Sequence, residues 1–273
     1  MYETHWQLER KPFDGGLDPA AYYPSETHQG ALLKLRYILE NRQGAAVLSG
    51  PPGTGKTLLL QMLRRQLPAD HTPFVQIVFP HLPVGQLIAY VAEELGAPKA
   101  EAATGTLEEN LRRIQRFLTE NHRQGKHAVL AIDEAHLIEE ARTFEALRLL
   151  LNFEVDGKTP LTLLLVGQPG VLTQLERMPS FEERLGVKCM LRPFTLEETV
   201  SYASHRLQAA GAKRPIFDND AWETLFELTA GHARRINRLC DLALLIGFAE
   251  ERASVNSAQL EAVSQELVNV TAD

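Results

Sequence analysis

The sequence has few cysteines and no long apolar run, and these absences exclude several protein classes. Its 273 residues include two cysteines, Cys189 and Cys240, both in apolar segments. Two thiols allow one bridge at most, so we expect buried, reduced side chains in a cytoplasmic protein. No stretch approaches the roughly 18 consecutive apolar residues of a membrane span. Residues 1–5 also lack the basic and apolar regions of a secretory signal, so we expect neither a span nor a leader.

The sequence also has no excess of basic residues. The chain carries 28 Lys and Arg residues against 35 Asp and Glu residues, a formal net charge of −7. A broad electrostatic surface for nucleic acid is therefore not expected, although a local basic patch stays possible. Arg112, Arg113 and Arg116 are the candidate DNA contacts, and a solvated helix face is the alternative interpretation of this cluster.

The most informative segment, residues 50–57, reads GPPGTGKT and fits the phosphate-binding pattern G-x-x-x-x-G-K-[ST]. An apolar run precedes it and a helical pattern follows it, as a phosphate-binding loop requires. Backbone N–H groups of such a loop surround phosphates at the positive end of the helix dipole. The predicted nucleotide-binding residues are Gly50, Pro51, Pro52, Gly53, Thr54, Gly55, Lys56 and Thr57. We expect Lys56 to reach the β- and γ-phosphates and the Thr57 hydroxyl to bind Mg²⁺.

Apolar runs alternate with helical patterns up to residue 191, which is typical of a parallel sheet covered on both faces. The predicted strands are 45–49, 74–79, 128–132, 161–166 and 187–191. The predicted helices are about 26–42, 55–67, 84–95, 106–124, 139–153 and 169–177. Residues 97–105 predict a loop. The fold class is therefore α/β, a doubly wound parallel sheet of five strands.

The pattern changes at Arg192-Pro193, after which no strand-like run occurs. Thr195 and Glu198 have the spacing of a capping box at a helix start. That helix is expected to end near Gly211, and further helices are predicted at 219–229, 233–250 and 257–268. We therefore expect a nucleotide-binding core over 1–192, with 1–44 as an N-terminal segment and helix, and a small all-helical lid over 193–273.

The predicted strand 128–132 ends in two acids, Asp133 and Glu134. Since strand ends converge on the phosphate site of such a fold, we expect Asp133 to hold Mg²⁺ and Glu134 to polarise the attacking water. A solvated acidic turn is the alternative. Residues 133–136 also spell the DEAH motif of superfamily 2 helicases, but those enzymes need a second nucleotide-binding lobe that the helical remainder cannot supply.

Three further residues are candidates for the chemistry of phosphoryl transfer. Gln168 follows a buried strand, where it orients water or is simply a turn residue. Arg184 projects into a neighbouring subunit's site or pairs locally with Glu182 or Glu183. Arg234 opens an amphipathic helix and reaches the nucleotide, or belongs to a solvated basic face.

Together these residues resemble the AAA+ ATPases, in the branch close to origin-recognition proteins. Residues 50–57 match Walker A and residues 128–134 match Walker B. Gln168 occupies the sensor 1 position, Arg184 is similar to the arginine finger, and residues 231–234 are similar to sensor 2. A finer resemblance, to the general secretion pathway protein A (ExeA-like) family, covers about residues 6–247. It rests on short segments at 11–13, 22–25, 166–169, 191–195, 205–207, 211 and 234–240.

The resemblance implies an ATPase that uses Mg²⁺, in which Lys56, Glu134, Arg184, Arg234 and Gln168 act in catalysis, and Thr57 and Asp133 hold the metal. It also implies an adenine pocket around Tyr23 and His28, and assembly into a ring or filament. Sensor 1 is more often Asn, Thr or Ser in these proteins.

Three roles stay open for such an ATPase. The finer resemblance favours an assembly factor for a secretion or envelope machine as the first role. Secretion relatives usually continue into a membrane helix and a periplasmic region, and the lack of both here favours the second role or indicates a truncated or diverged chain. Transposition regulators of the TniB and TnsC type share the core, which makes a DNA-binding regulator the second role. A nucleotide-gated scaffold with little turnover is the third.

Overall fold

The computed structural model describes residues 1–16, 22–98 and 105–269, and the chain forms two compact units. The sheet unit comprises Thr27–Pro52 and Leu59–Leu191. The helical unit comprises Met1–Glu26, Gly53–Leu58 and Arg192–Asp273. The boundary expected from the sequence, at residue 192, stays a prediction.

A parallel sheet of five strands, in the order β2-β3-β4-β1-β5, forms the centre of the sheet unit. The strands are β1 (Ala45–Ser49), β2 (Phe74–Ile77), β3 (Ala128–Ile132), β4 (Leu161–Gly167) and β5 (Leu185–Met190). The predicted parallel α/β fold is thus confirmed. The prediction extended β2 to residue 79, but Val78 and Phe79 lie outside the strand and are 62% and 60% exposed.

The helices associated with this sheet follow the predicted order. They are α2 (Glu26–Glu40), α3 (Lys56–Gln66), α4 (Val84–Leu95), α5 (Leu107–Arg123), α6 (Ala141–Leu150), α7 (Gly170–Glu176) and the four-residue α8 (Pro179–Glu182). A 3-10 helix, Ala135–Leu137, follows β3. α8 was not predicted, because one turn leaves no periodicity to detect. Most of the loop predicted at 97–105 lies outside the described residues.

The burial of the central strands on both faces explains why their sequences are continuous apolar runs without alternating polar residues. Every residue of β1, β3 and β4 is buried, as expected for central strands covered on both faces. β5 is the last strand in the order and pairs with β1, and most of its residues are partly or fully exposed. The side chains of Phe144 and Phe181 fill the core beside the sheet, with ring centroids 6.2 Å apart.

The helical unit contains the predicted C-terminal helices. They are α9 (Leu196–Ala209), α10 (Ala221–Thr229), α11 (Ala233–Ala249) and α12 (Ser257–Asn269). The predicted capping box is present. Thr195 Oγ1 accepts from the Glu198 N–H at 3.2 Å, and Glu198 Oε2 accepts from the Thr195 N–H at 3.0 Å.

The first residues of the chain complete the core of this helical unit. A short helix, α1 (Glu3–Trp6), carries Trp6, which is fully buried and donates its indole N–H to the Leu244 carbonyl at 2.8 Å. The buried Arg206 guanidinium donates to the carbonyls of Pro12 and Asp14, at 2.6 and 2.8 Å. The N-terminal segment is therefore held by apolar packing, by the hydrogen bond that Trp6 donates and by those that Arg206 donates to its carbonyls.

Both thiols are buried and free, as expected from the sequence. Burial raises the pKa of Cys189 to about 11 and raises the pKa of Cys240 further. Neither forms a reactive thiolate near neutral pH. No helix in the described part of the chain is long and apolar enough to cross a membrane.

Candidate functional site

The phosphate-loop sequence adopts the backbone that its glycines were expected to allow. Gly53 and Gly55 have φ angles of +75° and +87°, in the region where a side chain is unfavourable. α3 then begins at Lys56, which is only 7% exposed. A buried ammonium at the positive end of a helix dipole suits a bound anion such as phosphate.

The same loop is in contact with the start of α11. A Cβ atom at Gly53 would lie 2.7 Å from Arg234 Cβ, so this approach requires glycine. Arg234 is held there by the turn before it, where a Cβ at Gly231 would lie 2.0 Å from the Phe194 carbonyl oxygen. Phe194 N–H also donates to the Gly231 carbonyl at 2.9 Å. The helical unit therefore brings Arg234, predicted as sensor 2, against the phosphate loop.

The two acids follow β3 in the sheet unit, but their environments differ. Asp133 is 2% exposed, and its Oδ2 accepts from the Gln76 side-chain amide at 3.0 Å. Its Oδ1 accepts from the Glu134 N–H at 2.9 Å. Glu134 has a left-handed backbone (φ +51°) and a side chain that is 43% exposed. A left-handed conformation outside glycine costs roughly 1–3 kcal/mol, and the catalytic role of Glu134 stays a prediction.

Gln168 lies immediately after β4, and its side chain is held by a histidine. Its Nε2 lies 2.8 Å from His136 Nε2, and its backbone N–H lies 3.3 Å from His136 Nδ1. His136 Nδ1 in turn lies 3.4 Å from Glu134 Oε2. The structure thus places Gln168 one side chain away from the acid pair.

Arg184 is exposed in the turn before β5. It donates to Asn152 Oδ1 at 3.0 Å. Glu182 pairs instead with Lys188, so the local pair considered for Arg184 is not what forms. Among the described residues, Asn152 is the one hydrogen-bond partner of the Arg184 side chain, so the exposed guanidinium keeps donors for other groups.

Comparison with known proteins identifies the family. The AAA domain family profile matches residues 39–175, about half of the chain. The chain belongs to the AAA domain family. The match includes the phosphate loop, the acid pair and Gln168, whereas Arg184 and Arg234 lie beyond it.

A curated relative shares more of the sequence. The chain is 37% identical over 253 residues to general secretion pathway protein A of Aeromonas hydrophila. The aligned region covers 91% of this chain and 45% of that relative. The chain therefore spans less than half the length of this relative.

Solved AAA structures share the fold at low identity. The Cdc6p structure from Pyrobaculum aerophilum matches with a TM-score of 0.72 and 21% identity, over 91% of this chain and 71% of that one. The ORC2 protein of Aeropyrum pernix matches at 0.70 and 17%, over 94% and 72%. The RuvB branch-migration motor of Thermotoga maritima matches at 0.56 and 20%, over 89% and 69%.

The two residues predicted for the adenine pocket fall in different units. Tyr23 belongs to the helical unit, where its ring packs edge-on against Phe194 and Tyr202, with centroids 5.8 Å away in each case. His28 is buried in α2 of the sheet unit. Their role with adenine stays a prediction.

The candidate DNA contacts on α5 are partly engaged within this AAA chain. Arg112 pairs with Glu108 at 2.6 Å. Arg113 is 8% exposed and donates to the Pro98 carbonyl and to Asn110 Oδ1, at 2.5 Å each. Arg113 therefore supports the fold, and the basic patch is smaller than the sequence suggested.

Two residues near the acid pair were not predicted as site residues. Gln76 was hidden inside an apolar strand pattern, although a partly buried amide among apolar strand residues is itself a signal that it has a specific partner. His136 was noted only as the last letter of the DEAH motif. Its contacts depend on the packing of the 3-10 helix against β4, which no local pattern predicts.

The side chains at the candidate site are compatible with the Mg²⁺ ion expected from the sequence. In that part of the chain, no group of three or more His, Cys, Asp or Glu side chains is placed to hold an ion. Mg²⁺ is usually held by one or two protein groups together with phosphate oxygens and water. A single buried carboxylate, Asp133, fits that way of binding.

Proposed function

We propose that this AAA protein binds Mg-ATP and hydrolyses it in the cytoplasm, and that it works as an oligomer. The acid pair carries the proposal. Asp133 and Glu134 follow β3, and the phosphate loop follows β1, so both motifs extend from the same edge of one parallel sheet. A scaffold that only binds nucleotide has no need of Glu134, which disfavours the scaffold role.

Each residue has a distinct role in this proposal. Lys56 and the loop N–H groups stabilise negative charge on the phosphates. Glu134 orients the attacking water and accepts its proton. Thr57 and Asp133 hold Mg²⁺, which supplies further positive charge at the phosphate oxygens. Arg234 adds charge beside the loop.

Two variants test the nucleotide chemistry. We expect Lys56→Ala to abolish ATP binding in a fluorescent-nucleotide titration, because it removes the buried cation of the loop. We expect Glu134→Gln to bind ATP normally and to lose about 10²–10⁴-fold in kcat, the range for a general base. Turnover by Glu134→Gln at the wild-type rate would refute the role of Glu134.

The oligomer is tested through Arg184. If Arg184 completes the site of a neighbouring copy, turnover per subunit rises with protein concentration, and Arg184→Ala removes that rise. An arginine finger contributes about 10³–10⁵-fold in related chemistry. Turnover that is linear in protein concentration and unaffected by Arg184→Ala contradicts the assignment.

For the biological role, we propose an assembly factor for a secretion or envelope machine. The 37% identity to general secretion pathway protein A supports this role. The net charge of −7 and the engagement of Arg113 within the fold disfavour a DNA-bound regulator. Duplex DNA should therefore leave the ATPase rate unchanged at low salt, and stimulation by DNA would favour the transposition role.

A further inference from the structure

His136 lies two residues after Glu134 and packs on the end of β4. It is in the 3-10 helix Ala135–Leu137, and its side chain is 16% exposed. A Cβ atom at Gly167 would lie 3.1 Å from the His136 backbone nitrogen and 3.3 Å from Nδ1. The absence of a side chain at Gly167 thus lets the imidazole approach the last residues of β4.

The two ring nitrogens face different residues of the candidate site. Nε2 lies 2.8 Å from the Gln168 side-chain amide nitrogen, and Nδ1 lies 3.4 Å from Glu134 Oε2. A neutral ring that carries its proton on Nδ1 accepts a hydrogen bond from the Gln168 amide at Nε2 and has its N–H on the nitrogen that lies 3.4 Å from Glu134 Oε2, a contact longer than an ordinary hydrogen bond. The other neutral tautomer carries its proton on Nε2, and its Nδ1 instead accepts a hydrogen bond from the Gln168 backbone N–H at 3.3 Å. Nδ1 either donates towards the Glu134 carboxylate or accepts from the Gln168 backbone N–H, but not both at once. The hydrogen bond between Nε2 and the Gln168 side chain therefore influences which of the two Nδ1 does.

We propose that His136 is a positioning residue that couples Gln168 to Glu134. This inference rests on the proposed function and assigns Gln168 a role through His136. The Gln168 amide fixes the imidazole with its Nδ1–H toward Glu134, and that N–H limits the rotamers of the exposed carboxylate. The general base is thereby held in one orientation, and a change at Gln168 is transmitted to it.

A matched pair of substitutions tests the coupling in the ATPase. His136→Phe keeps a ring of similar volume against Gly167 and removes both nitrogens. We expect kcat to fall at least tenfold while the ATP dissociation constant stays within twofold, because the loop that binds phosphate is unchanged. His136→Gln keeps a side-chain donor and should lose less. His81→Phe is the control for a nearby exposed histidine and should leave kcat unchanged.

A double variant separates coupling from independent effects. If Gln168 acts through His136, His136→Phe combined with Gln168→Leu lowers kcat no more than His136→Phe alone. Losses that multiply would overturn the proposal, as would wild-type kcat in His136→Phe. Circular dichroism and thermal melting of each variant show whether a loss of kcat reflects unfolding. If His136→Phe is unfolded, the double variant is built on His136→Gln instead.

A readout without nucleotide distinguishes failure of this inference from failure of the proposed function. Nitrogen-15 NMR of the nucleotide-free protein reports which imidazole nitrogen of His136 carries the proton. We expect Nδ1–H in the wild type, and a shift of the tautomer population in Gln168→Leu and in Glu134→Gln. A His136 signal that neither variant changes refutes the coupling, even if the protein is an active ATPase. If wild type and Lys56→Ala both fail to turn over ATP, the proposed function fails while the NMR result still decides the coupling.

Discussion

The sheet unit and the helical unit build their cores from different parts of the chain. In the sheet unit, the core consists of strands and helices that follow one another between residues 45 and 181. In the helical unit, four apolar residues from the start of the chain join helices that begin at residue 196. They are Tyr2, Trp6, Leu8 and Phe13.

Both units carry predicted site residues, but only the helical unit builds its core from segments that are far apart in the chain. The sheet unit carries the acid pair and Gln168 at the ends of the buried strands β3 and β4, and Arg184 in the turn before the more exposed β5. The helical unit brings Arg234 to the phosphate loop, and it depends on distant residues for its own packing. Damage to the first residues of the chain is therefore expected to act on the helical unit.

The largest expected effect is at Trp6. Trp6→Ala removes a fully buried ring and a hydrogen bond to Leu244, so the free energy of unfolding should fall by about 3–5 kcal/mol. Urea denaturation followed by circular dichroism measures it. Trp222 is the matched control, since it is only partly buried and stacks on Phe217 with centroids 5.3 Å apart. Equal losses for Trp6→Ala and Trp222→Ala would mean that the N-terminal segment is not a core element.

A second effect concerns a histidine of the sheet unit. His127 is fully buried just before β3, and its Nε2 lies 2.9 Å from Thr162 Oγ1. Within the described residues, its Nδ1 has no hydrogen-bond partner. Burial, followed by the charges of His71 and Arg42, lowers the pKa of His127 from 6.5 to about 3.

The sign of the pH dependence follows from this lowered pKa. As the pH falls below 6.5, the unfolded chain binds a proton that the folded protein does not bind until about pH 3. The free energy of unfolding should therefore fall by about 2 kcal/mol between about pH 6.5 and about pH 5 because of this one group. His127→Gln should give a flatter profile in urea denaturation across that range. Parallel profiles for the variant and the wild type would show that His127 is not the group responsible.

The smallest effect is expected at an ion pair of the helical unit. Arg192 contacts Glu198 at 2.5 Å and the exposed Glu26 at 3.1 Å. Its own side chain is 38% exposed, so Arg192→Gln should cost under about 1 kcal/mol, and less in high salt. Denaturation at low and high salt tests this, with Glu198→Ala as the comparison because it also removes the capping box. A salt-independent loss above 2 kcal/mol would contradict the surface-pair interpretation.

The sheet unit could be predicted in detail because its signals are local. β1 and β3 have the predicted bounds, since each is a short apolar run that is buried on both faces. The phosphate loop was equally clear, because its glycines, lysine and threonine have fixed spacing. β2 was predicted two residues too long, because Val78 and Phe79 are apolar and yet exposed.

What could not be predicted depends on contacts between distant segments. α1 is a single turn, so Trp6 and Tyr2 had no periodicity to mark them as core residues. The approach of His136 to Gln168 likewise requires Gly167 beneath the ring, 31 residues along the chain from His136. The sequence predicted Gln168 at the correct strand end but not the side chain that holds it.

The position of Trp6 in the chain matters for folding during synthesis. Its hydrogen-bond partner, Leu244, lies 238 residues later in the chain. On the ribosome, the first aromatic residues emerge long before the helices that cover them, while the sheet unit is synthesised in between. Exposed apolar surface in a waiting segment favours aggregation. A chaperone that covers the segment before residue 14 should therefore raise the yield of folded protein, whereas a slower rate of translation should lower it.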